Sequence, residues 1–402
     1  MENDNSILDK IITNQIAREK QEFSPAEIIS KLLSGLISRE AQVLRLRFGL
    51  DGSLPRTLEA IGKEFSVTRE RIRQIEKQAV IKVKTLDFFS EAVGPVAHLI
   101  KRELRLSGGL MHQDELVREL SALSDDSKLE KNDIAFLISQ LLTKEIKDIQ
   151  HPHAHEGWAL SDVNFETWEL IVGHVVELFS ENRKTMIFEK LFERIKEPTE
   201  IEEKLNHLSQ LANVECGTGL TNDQVKRRIV KSHLVISRKI DVNPFGHWGL
   251  VEWSAVRPKR MGDKIYLVLK NIGEPQHFQK ITDLVNQAKF DRKTAYSPTA
   301  HNELILDKRF VLVGRGIYAL REWGYEEGVV SDVIAKVLDQ AGQPLGREAI
   351  VEQVLKLRLV KKGTVYLALN DQARFTKLPD GRYQLGQKSE DQNSKSETMP
   401  IS

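Results

Sequence analysis

The sequence predicts a mainly α-helical protein with small β-hairpins, in which one helical head precedes several short repeats. The first observation is a pair of helical patterns at 57–65 and 67–83, separated by little more than a tight turn. The second is a strand end of aromatic, any residue and Leu, which recurs four times between residues 157 and 385. Together they indicate a helix-turn-helix head followed by tandem α+β modules of the winged-helix type.

Composition says little about function, but it indicates the cellular compartment of the protein. The chain has 402 residues, enough for two to four domains. The single cysteine, Cys216, excludes a disulfide within the chain and suits a reducing compartment. No stretch approaches the ~20 apolar residues of a membrane span, and the polar N-terminus is unlike a signal peptide. We therefore expect a cytoplasmic protein with no membrane partner.

The second helical pattern, VTRERIRQIEKQA at 67–79, has one apolar side. Its apolar stripe repeats at spacings of three and four residues, so that side must be buried. Either Ser66 or Thr68 can cap the N-terminus of this helix. The stripe consists of Ile72, Ile75, Ala79 and Val83.

The opposite side of this helix presents side chains suited to base recognition. Arg69, Glu70, Arg73 and Gln74 share that face because residues four apart stack on a helix. Arginine can bond bidentately to guanine, glutamine to adenine, and glutamate can accept from the cytosine amino group. The alternative is a solvated helix face with ion pairs between successive turns. The net charge of +4 over 68–84, against +1 for the chain, favours contact with phosphate.

Residues 37–83 closely resemble region 4 of housekeeping bacterial RNA polymerase sigma factors. The matching pieces are REAQVLRLRFGLD, TLEAIGKEF and VTRERIRQIE, in the family's order. The resemblance implies binding to the −35 promoter element and docking on the flap of the polymerase β subunit. It assigns base reading to Arg69, Glu70 and Gln74, and it places Arg39, Arg47, Thr57 and Arg73 near the DNA backbone. The full set of candidate DNA-binding residues is Arg39, Arg47, Thr57, Arg69, Glu70, Arg71, Arg73, Gln74 and Lys77.

Two features depart from that family. Ile81 stands where the family more often has a basic residue, which removes an expected activator contact. Only 36 residues precede the match, and they lack the aromatic-rich region 2 with which sigma factors melt promoters. We therefore expect a protein that binds promoter-like DNA without opening it.

The recurring strand ends are GWAL, GHWGL, GIYAL and GRYQL. We expect the last three to be preceded by basic-apolar strands, LVISRKI, RFVLVG and RFTKL, and the aromatic residues to close small cores. The predicted organisation is a helical extension at 1–24, the head at 25–90, four modules at 91–161, 169–254, 262–325 and 328–386, and a disordered tail at 387–402.

The third module has a resemblance of its own. EPQHFQKI, RFV and GRGIYAL, within 262–325, resemble the HARE-HTH winged helix, which is also found in the delta subunit of bacterial RNA polymerase. The fourth module is similar to a degenerate relative of it. We expect the third module to fold alone, because its repeat unit contains both apolar helix faces and a closing strand.

Other candidate sites are weaker. His151, His153 and His155 alternate, so a strand would place them on one face as a possible zinc or nickel site; a polar hairpin tip is the alternative. The basic clusters at 256–260 and 359–363 are either phosphate contacts or ordinary turn charges. No phosphate loop, nucleophile triad or acidic metal cluster is present in the sequence. We therefore expect no enzyme activity, no cofactor and no bound metal.

The favoured function is regulation of transcription initiation through promoter-like double-stranded DNA and RNA polymerase. One alternative is an interaction protein that docks on the polymerase and whose winged helices bind protein. Another is a DNA-binding module in a restriction or defence context, because HARE-HTH modules also resemble companions of such enzymes. The sequence leaves the target promoters, the sign of regulation and the oligomeric state open.

Overall fold

The computed structural model describes residues 24–50, 52, 54–123, 131–217 and 219–386. The predictions for 1–24 and 387–402 concern residues outside these ranges, apart from Ser24. The described chain is mainly helical with small antiparallel sheets, as the sequence predicts. It divides into two compact units. The first unit runs to Val242 and includes Gly246–Glu252, and the second comprises Asn243–Phe245 and the residues from Trp253 onward.

The head consists of short helices joined by tight connections. Thr57 and Thr68 cap two of them, each accepting a hydrogen bond at 3.2 Å from a backbone N–H three residues later. Gly49 ends another helix in the left-handed conformation. The helices are α1 (Pro25–Ser34), α2 (Ser38–Phe48), α3 (Leu58–Glu64) and α4 (Arg69–Lys84).

The first module follows without a break. Its strands pair antiparallel in the order β1-β3-β2. Its elements are α5 (Phe89–Leu106), β1 (Leu110–His112), α6 (Gln113–Leu123), α7 (Lys131–Phe136) with a π-helical turn at Leu137–Leu141, β2 (Ile146–Asp148) and β3 (Gly157–Leu160).

The second module differs from the predicted pattern in two ways. LVISRKI, predicted as a strand, is helical as far as Ile236, and the strand begins only at Ile240. Its described residues form four helices, one more than the three of a winged helix, the type predicted for this module. The elements are α8 (Glu166–Asn182), β4 (Met186–Ile187), α9 (Phe188–Ile195), α10 (Thr199–Cys216), α11 (Asn222–Ile236), β5 (Ile240–Val242) and β6 (His247–Leu250), with sheet order β4-β6-β5.

The third and fourth modules lie in the second unit. In the third, the strands pair in the order β7-β9-β8, and in the fourth β10 pairs with β11. The third comprises α12 (Met261–Ile272), β7 (Gln276–His277), α13 (Phe278–Ala288), α14 (Ser297–Leu306), β8 (Phe310–Gly314) and β9 (Ile317–Leu320). The fourth comprises α15 (Val330–Ala341), α16 (Arg347–Leu357), α17 (Lys362–Ala368), β10 (Phe375–Lys377) and β11 (Tyr383–Leu385).

All four recurring motifs form strands, and their aromatic rings are buried. Trp158, Trp248, Tyr318 and Tyr383 are between 2% and 8% exposed. In the first three modules the motif strand is the central strand of a three-stranded sheet. The predicted hairpin supplies two of the strands, and a short strand before the second helix of the module pairs with the other edge of the motif strand. In the fourth module a single bridge from Leu345 to Tyr383 takes that place. The aromatic residues therefore close small cores, as predicted.

Apolar packing continues from the head into the first module. One core contains residues of α1, α2 and α4 together with residues of α5, α7 and β3. The rings of Phe48 and Phe136 lie 5.0 Å apart across this contact. The third and fourth modules each have a separate core of their own. No helix of the described chain is long and apolar enough to cross a membrane.

Candidate nucleic-acid interface

The connection between α3 and α4 is a tight turn that depends on two backbone positions. Ser66 has a φ of 54°, in the left-handed region that L-residues seldom adopt. The backbone N–H of Val67 donates to the carbonyl of Gly62 at 2.9 Å. A Cβ on Gly62 would lie 2.8 Å from the carbonyl oxygen of Val67, so only glycine fits at this crossing.

Helix α4 has the two sides that its sequence predicts. Thr68, rather than Ser66, caps its N-terminus. The predicted apolar stripe is buried: Ile72, Ala79 and Val83 have no exposed surface, and Ile75 is 7% exposed. The candidate base-reading face is exposed over its whole length, at Arg69, Glu70, Arg71, Arg73, Gln74 and Lys77.

Neighbouring side chains on this face hold one another. The Arg73 guanidinium donates two hydrogen bonds to the Glu70 carboxylate, at 2.6 and 2.8 Å. These bonds hold the pKa of Glu70 below its ordinary value, so the carboxylate is ionised at neutral pH. Arg71 donates to the amide oxygen of Gln74 at 3.2 Å. The Gln74 side chain also hydrogen-bonds with the Glu70 carboxylate and helps to lower its pKa.

Two further candidates, Arg39 and Thr57, lie outside α4. Arg39 is exposed, with its guanidinium 5.6 Å from the centre of the Phe65 ring. Thr57 is exposed and already accepts the α3 capping bond. Lys77 and Arg69 have no carboxylate within ion-pair distance among the residues that the structure describes. Their charges are therefore available to phosphate.

Arg47 has a more internal position than a phosphate contact needs. Its Nη1 donates to the backbone carbonyl of Arg56 at 3.0 Å, and its Nε lies 3.6 Å from Glu76 Oε2. Burial raises the pKa of Glu76, while the nearby Arg47 lowers it. Arg47 therefore joins the loop before α3 to α4, a tertiary role that its position in the motif did not reveal.

The three alternating histidines do not form a strand. They lie in the loop between β2 and β3, where residues 151–155 have irregular backbone. His151 Nε2 lies 3.0 Å from Glu169 Oε1, whereas the ring of His155 faces His112 at 5.8 Å. The three histidines therefore do not share the strand face on which the zinc or nickel alternative depends. Within the described ranges no group of His, Cys, Asp and Glu side chains is arranged to hold a metal ion.

The last helix before the hairpin of each module, here termed the pre-hairpin helix, has a different environment in different modules. In a winged helix this is the element that enters a DNA groove. In the first module it is α7, which packs against α1 and α2 of the head. Asn132 on α7 donates to the carbonyl of Gly49 at 3.3 Å. It is therefore part of an internal contact.

In the second module the pre-hairpin helix α11 is also internal. It packs against α5 and β1 of the first module. Ser232 Oγ donates to the Leu110 carbonyl at 2.9 Å, and Arg228 Nε donates to Ser107 Oγ at 3.2 Å. His233 beside them is 1% exposed. Sequence patterns could not reveal this burial, because the two partners are more than 100 residues apart.

Part of the chain matches a known protein family. Residues 32–85 match the family model of sigma-70, region 4. Region 4 is a DNA-binding helix-turn-helix domain of sigma factors, and the match covers α2, the α3–turn–α4 crossing and the exposed face of α4. The resemblance predicted for the head is thereby confirmed.

A relative matches the same region. Over 58 residues the chain is 60% identical to the RNA polymerase sigma factor SigA of Clostridium acetobutylicum. This segment is 14% of the present chain and 15% of that protein, so the chain spans a small part of its relative's length. Both matches concern the head, and the HARE-HTH resemblance of the third module stays a prediction.

Proposed function

We propose that the protein is a sequence-specific DNA-binding regulator of transcription initiation, which binds −35-like promoter DNA and RNA polymerase. The observation that supports this most is the exposed N-terminal half of α4 within a sigma-70 region 4 match. That half bears the residue types that read bases in a major groove, and its buried stripe fixes which way they point.

The proposed contacts with bases and with the DNA backbone come from different residues. Arg69 bonds to guanine, Gln74 to adenine, and the ionised Glu70 accepts from a cytosine amino group. Thr57, Arg39 and Lys77 contact the DNA backbone and set affinity rather than preference.

The modules have a mechanical role in this proposal. Their order of helices and antiparallel strands supports the winged-helix assignment. The first and second modules place their pre-hairpin helices against the preceding part of the chain and so brace the head. We further propose that the protein acts in the cytoplasm as a binding protein rather than an enzyme.

The test is a binding titration on a −35-like duplex and on a random duplex at several salt concentrations. Gln74→Ala should cost roughly 1 to 3 kcal/mol on the −35-like duplex and little on the random one. The matched control is Lys77→Ala, one turn further along α4. It should weaken both duplexes alike and lower the salt slope by about one unit. A wild-type protein without preference for the −35-like duplex, alone or with polymerase, would refute base reading.

The polymerase contact needs a separate experiment. The tagged full-length chain is purified from its native cells, and the core subunits of RNA polymerase should accompany it in stoichiometric amount. The result should survive nuclease treatment, since the proposed contact is with protein. Loss of the polymerase after nuclease treatment would mean that DNA alone connects the two.

One observation favours a second candidate function, docking on protein. The pre-hairpin helix α14 of the third module exposes Ile305 by 61% and Leu306 by 78%, beside the uncharged Asn302. Such a face suits a protein partner better than phosphate. Ile305→Ser with Leu306→Ser should then reduce polymerase co-purification while leaving duplex binding unchanged.

A further inference from the structure

The four pre-hairpin helices differ in what they leave exposed. Those of the first two modules, α7 and α11, are internal, and that of the third, α14, exposes apolar and uncharged side chains. The fourth, α17, starts with two exposed lysines, Lys361 and Lys362. Modules of one type therefore present different chemistry at the same structural position, and the fourth presents positive charge.

The exposed cations of the fourth module fall into two classes. Lys336, Lys356, Arg374 and Arg382 each lie 2.6 to 2.9 Å from a carboxylate oxygen. Arg347, Lys361, Lys362 and Lys377 are exposed and have no carboxylate within ion-pair distance among the described residues.

The four unpaired cations are neighbours in the fold. The Arg347 guanidinium lies 3.6 Å from the centre of the Tyr366 ring. Lys362 precedes Tyr366 by four residues and so shares its face of α17. Lys377 Nζ lies 6.0 Å from the centre of the Tyr383 ring. A β-bridge joins Tyr383 to Leu345, two residues before Arg347. The starts of α16 and α17 and strand β10 therefore form one basic face.

We propose that this basic face binds the phosphate backbone of duplex DNA, as a second contact that is independent of base sequence. The inference rests on the proposed function in taking duplex DNA as the ligand. Glu348 follows Arg347 in sequence, and it accepts a hydrogen bond from the Tyr366 hydroxyl at 3.0 Å. Four cations that have no ion-pair partner among the described residues give the face its positive charge.

The chemistry of this face favours a ligand with many phosphates over a protein partner. Lysine ammonium groups act as mobile point charges, which suits a regular row of phosphates. Duplex DNA presents about one negative charge per 1.7 Å of axis, so a face with four separate cations can engage several phosphates at once. Such a contact adds affinity and salt dependence but no base preference.

The experiment compares two double variants of the full-length chain on a random duplex. Lys361→Ala/Lys362→Ala removes two charges from the basic face, and Lys336→Ala/Lys356→Ala removes two ion-paired charges from the same module. The first should lower the salt slope by about two units and weaken binding about tenfold at moderate salt. The control should change neither beyond the small effect of two lost surface charges. Equal thermal unfolding midpoints show that both variants are folded.

The outcomes separate this inference from the proposed function. If both double variants bind the random duplex as the wild type does, the basic face does not contact DNA and the inference is wrong. An acidic protein partner for the basic face would give this same result. The preference of the wild type for the −35-like duplex, and its loss in Gln74→Ala, depend on α4 alone. Either result can therefore fail while the other holds.

Discussion

The carboxylate of Glu70 and the guanidinium of Arg73 are joined by two hydrogen bonds of 2.6 and 2.8 Å, one helical turn apart on the exposed face of α4. A proposed base reader is thus held by its neighbour before any DNA arrives. Holding a side chain in one rotamer reduces the entropy lost on binding, and it directs the acceptor oxygens. Arg73 is therefore a positioning residue as well as a candidate phosphate contact.

The first prediction concerns this pair. Arg73→Ala should weaken binding to every duplex, and it should also reduce the preference for cytosine at the position that Glu70 contacts by roughly 1 kcal/mol. The measurement is a set of titrations on duplexes that differ only at that base pair. Lys77→Ala is the control, since it should lower affinity without altering the preference. A full cytosine preference in Arg73→Ala would show that Glu70 needs no positioning.

The second prediction concerns the turn between α3 and α4. Gly62→Ala places a methyl group 2.8 Å from the Val67 carbonyl oxygen, a backbone atom that cannot move aside cheaply. We expect a loss of about 1 to 3 kcal/mol in the free energy of unfolding, measured by denaturant titration. The control is Gly173→Ala in the middle of α8, where a Cβ would meet nothing within 4 Å. That change should stabilise by about 0.5 to 1 kcal/mol. Equal effects at the two positions would contradict the steric argument.

The exposed side of α4, the candidate base-reading face, was predictable because it depends on local information. A helix with a period of 3.6 residues must bury Ile72, Ile75 and Ala79, and that fixes the direction of Arg69 and Gln74 without knowledge of the rest of the chain. The burial of the aromatic residues at the strand ends was predictable for a similar reason. In a short module, the module's own core is the apolar environment closest to such a residue in sequence.

The positions of the pre-hairpin helices were not predictable, because long-range packing determines them. LVISRKI has the β-branched residues of a strand, yet it continues α11 because β1 of the first module offers that helix a surface. Arg47 matched a candidate phosphate contact, but its Glu76 partner lies 29 positions later in sequence, on α4. The basic face of the fourth module joins Arg347 to Lys377, which no local pattern connects.

The third prediction tests whether the head and the first module unfold together. Phe136→Ala removes a ring that is 1% exposed and lies 5.0 Å from Phe48. Truncation of a buried phenylalanine costs about 3 to 5 kcal/mol, and here the loss should reach both sides of the contact. Hydrogen exchange should therefore increase in α1 and α2 of the head as well as in α7.

The control for that experiment is Phe192→Ala, which removes an equally buried ring from the second module. Its exchange effect should concentrate in α8, α9 and the sheet around β6. If Phe136→Ala leaves the exchange of α1 and α2 unchanged, the head folds independently of the first module despite their continuous apolar core.

The last prediction concerns the acid sensitivity of the first unit. His233 on α11 is completely buried, and burial lowers the pKa of its imidazole to about 4, from an ordinary value of 6.5. The ring is therefore neutral in the folded protein and becomes protonated only after unfolding. Its contribution to stability is complete above pH 6.5 and is lost as the pH falls toward 4. Between pH 7.5 and 5 the free energy of unfolding should decrease by about 2 kcal/mol through this group.

His233→Gln cannot take up the proton and should lose that part of the pH dependence, whatever its stability at neutral pH. His207→Gln, at an exposed position of α10, is the matched control and should keep it. Denaturant titrations at the two pH values measure the difference for each protein. If His233→Gln and the wild type show the same decrease, other groups cause the acid sensitivity, and His233 does not titrate on unfolding as its burial requires.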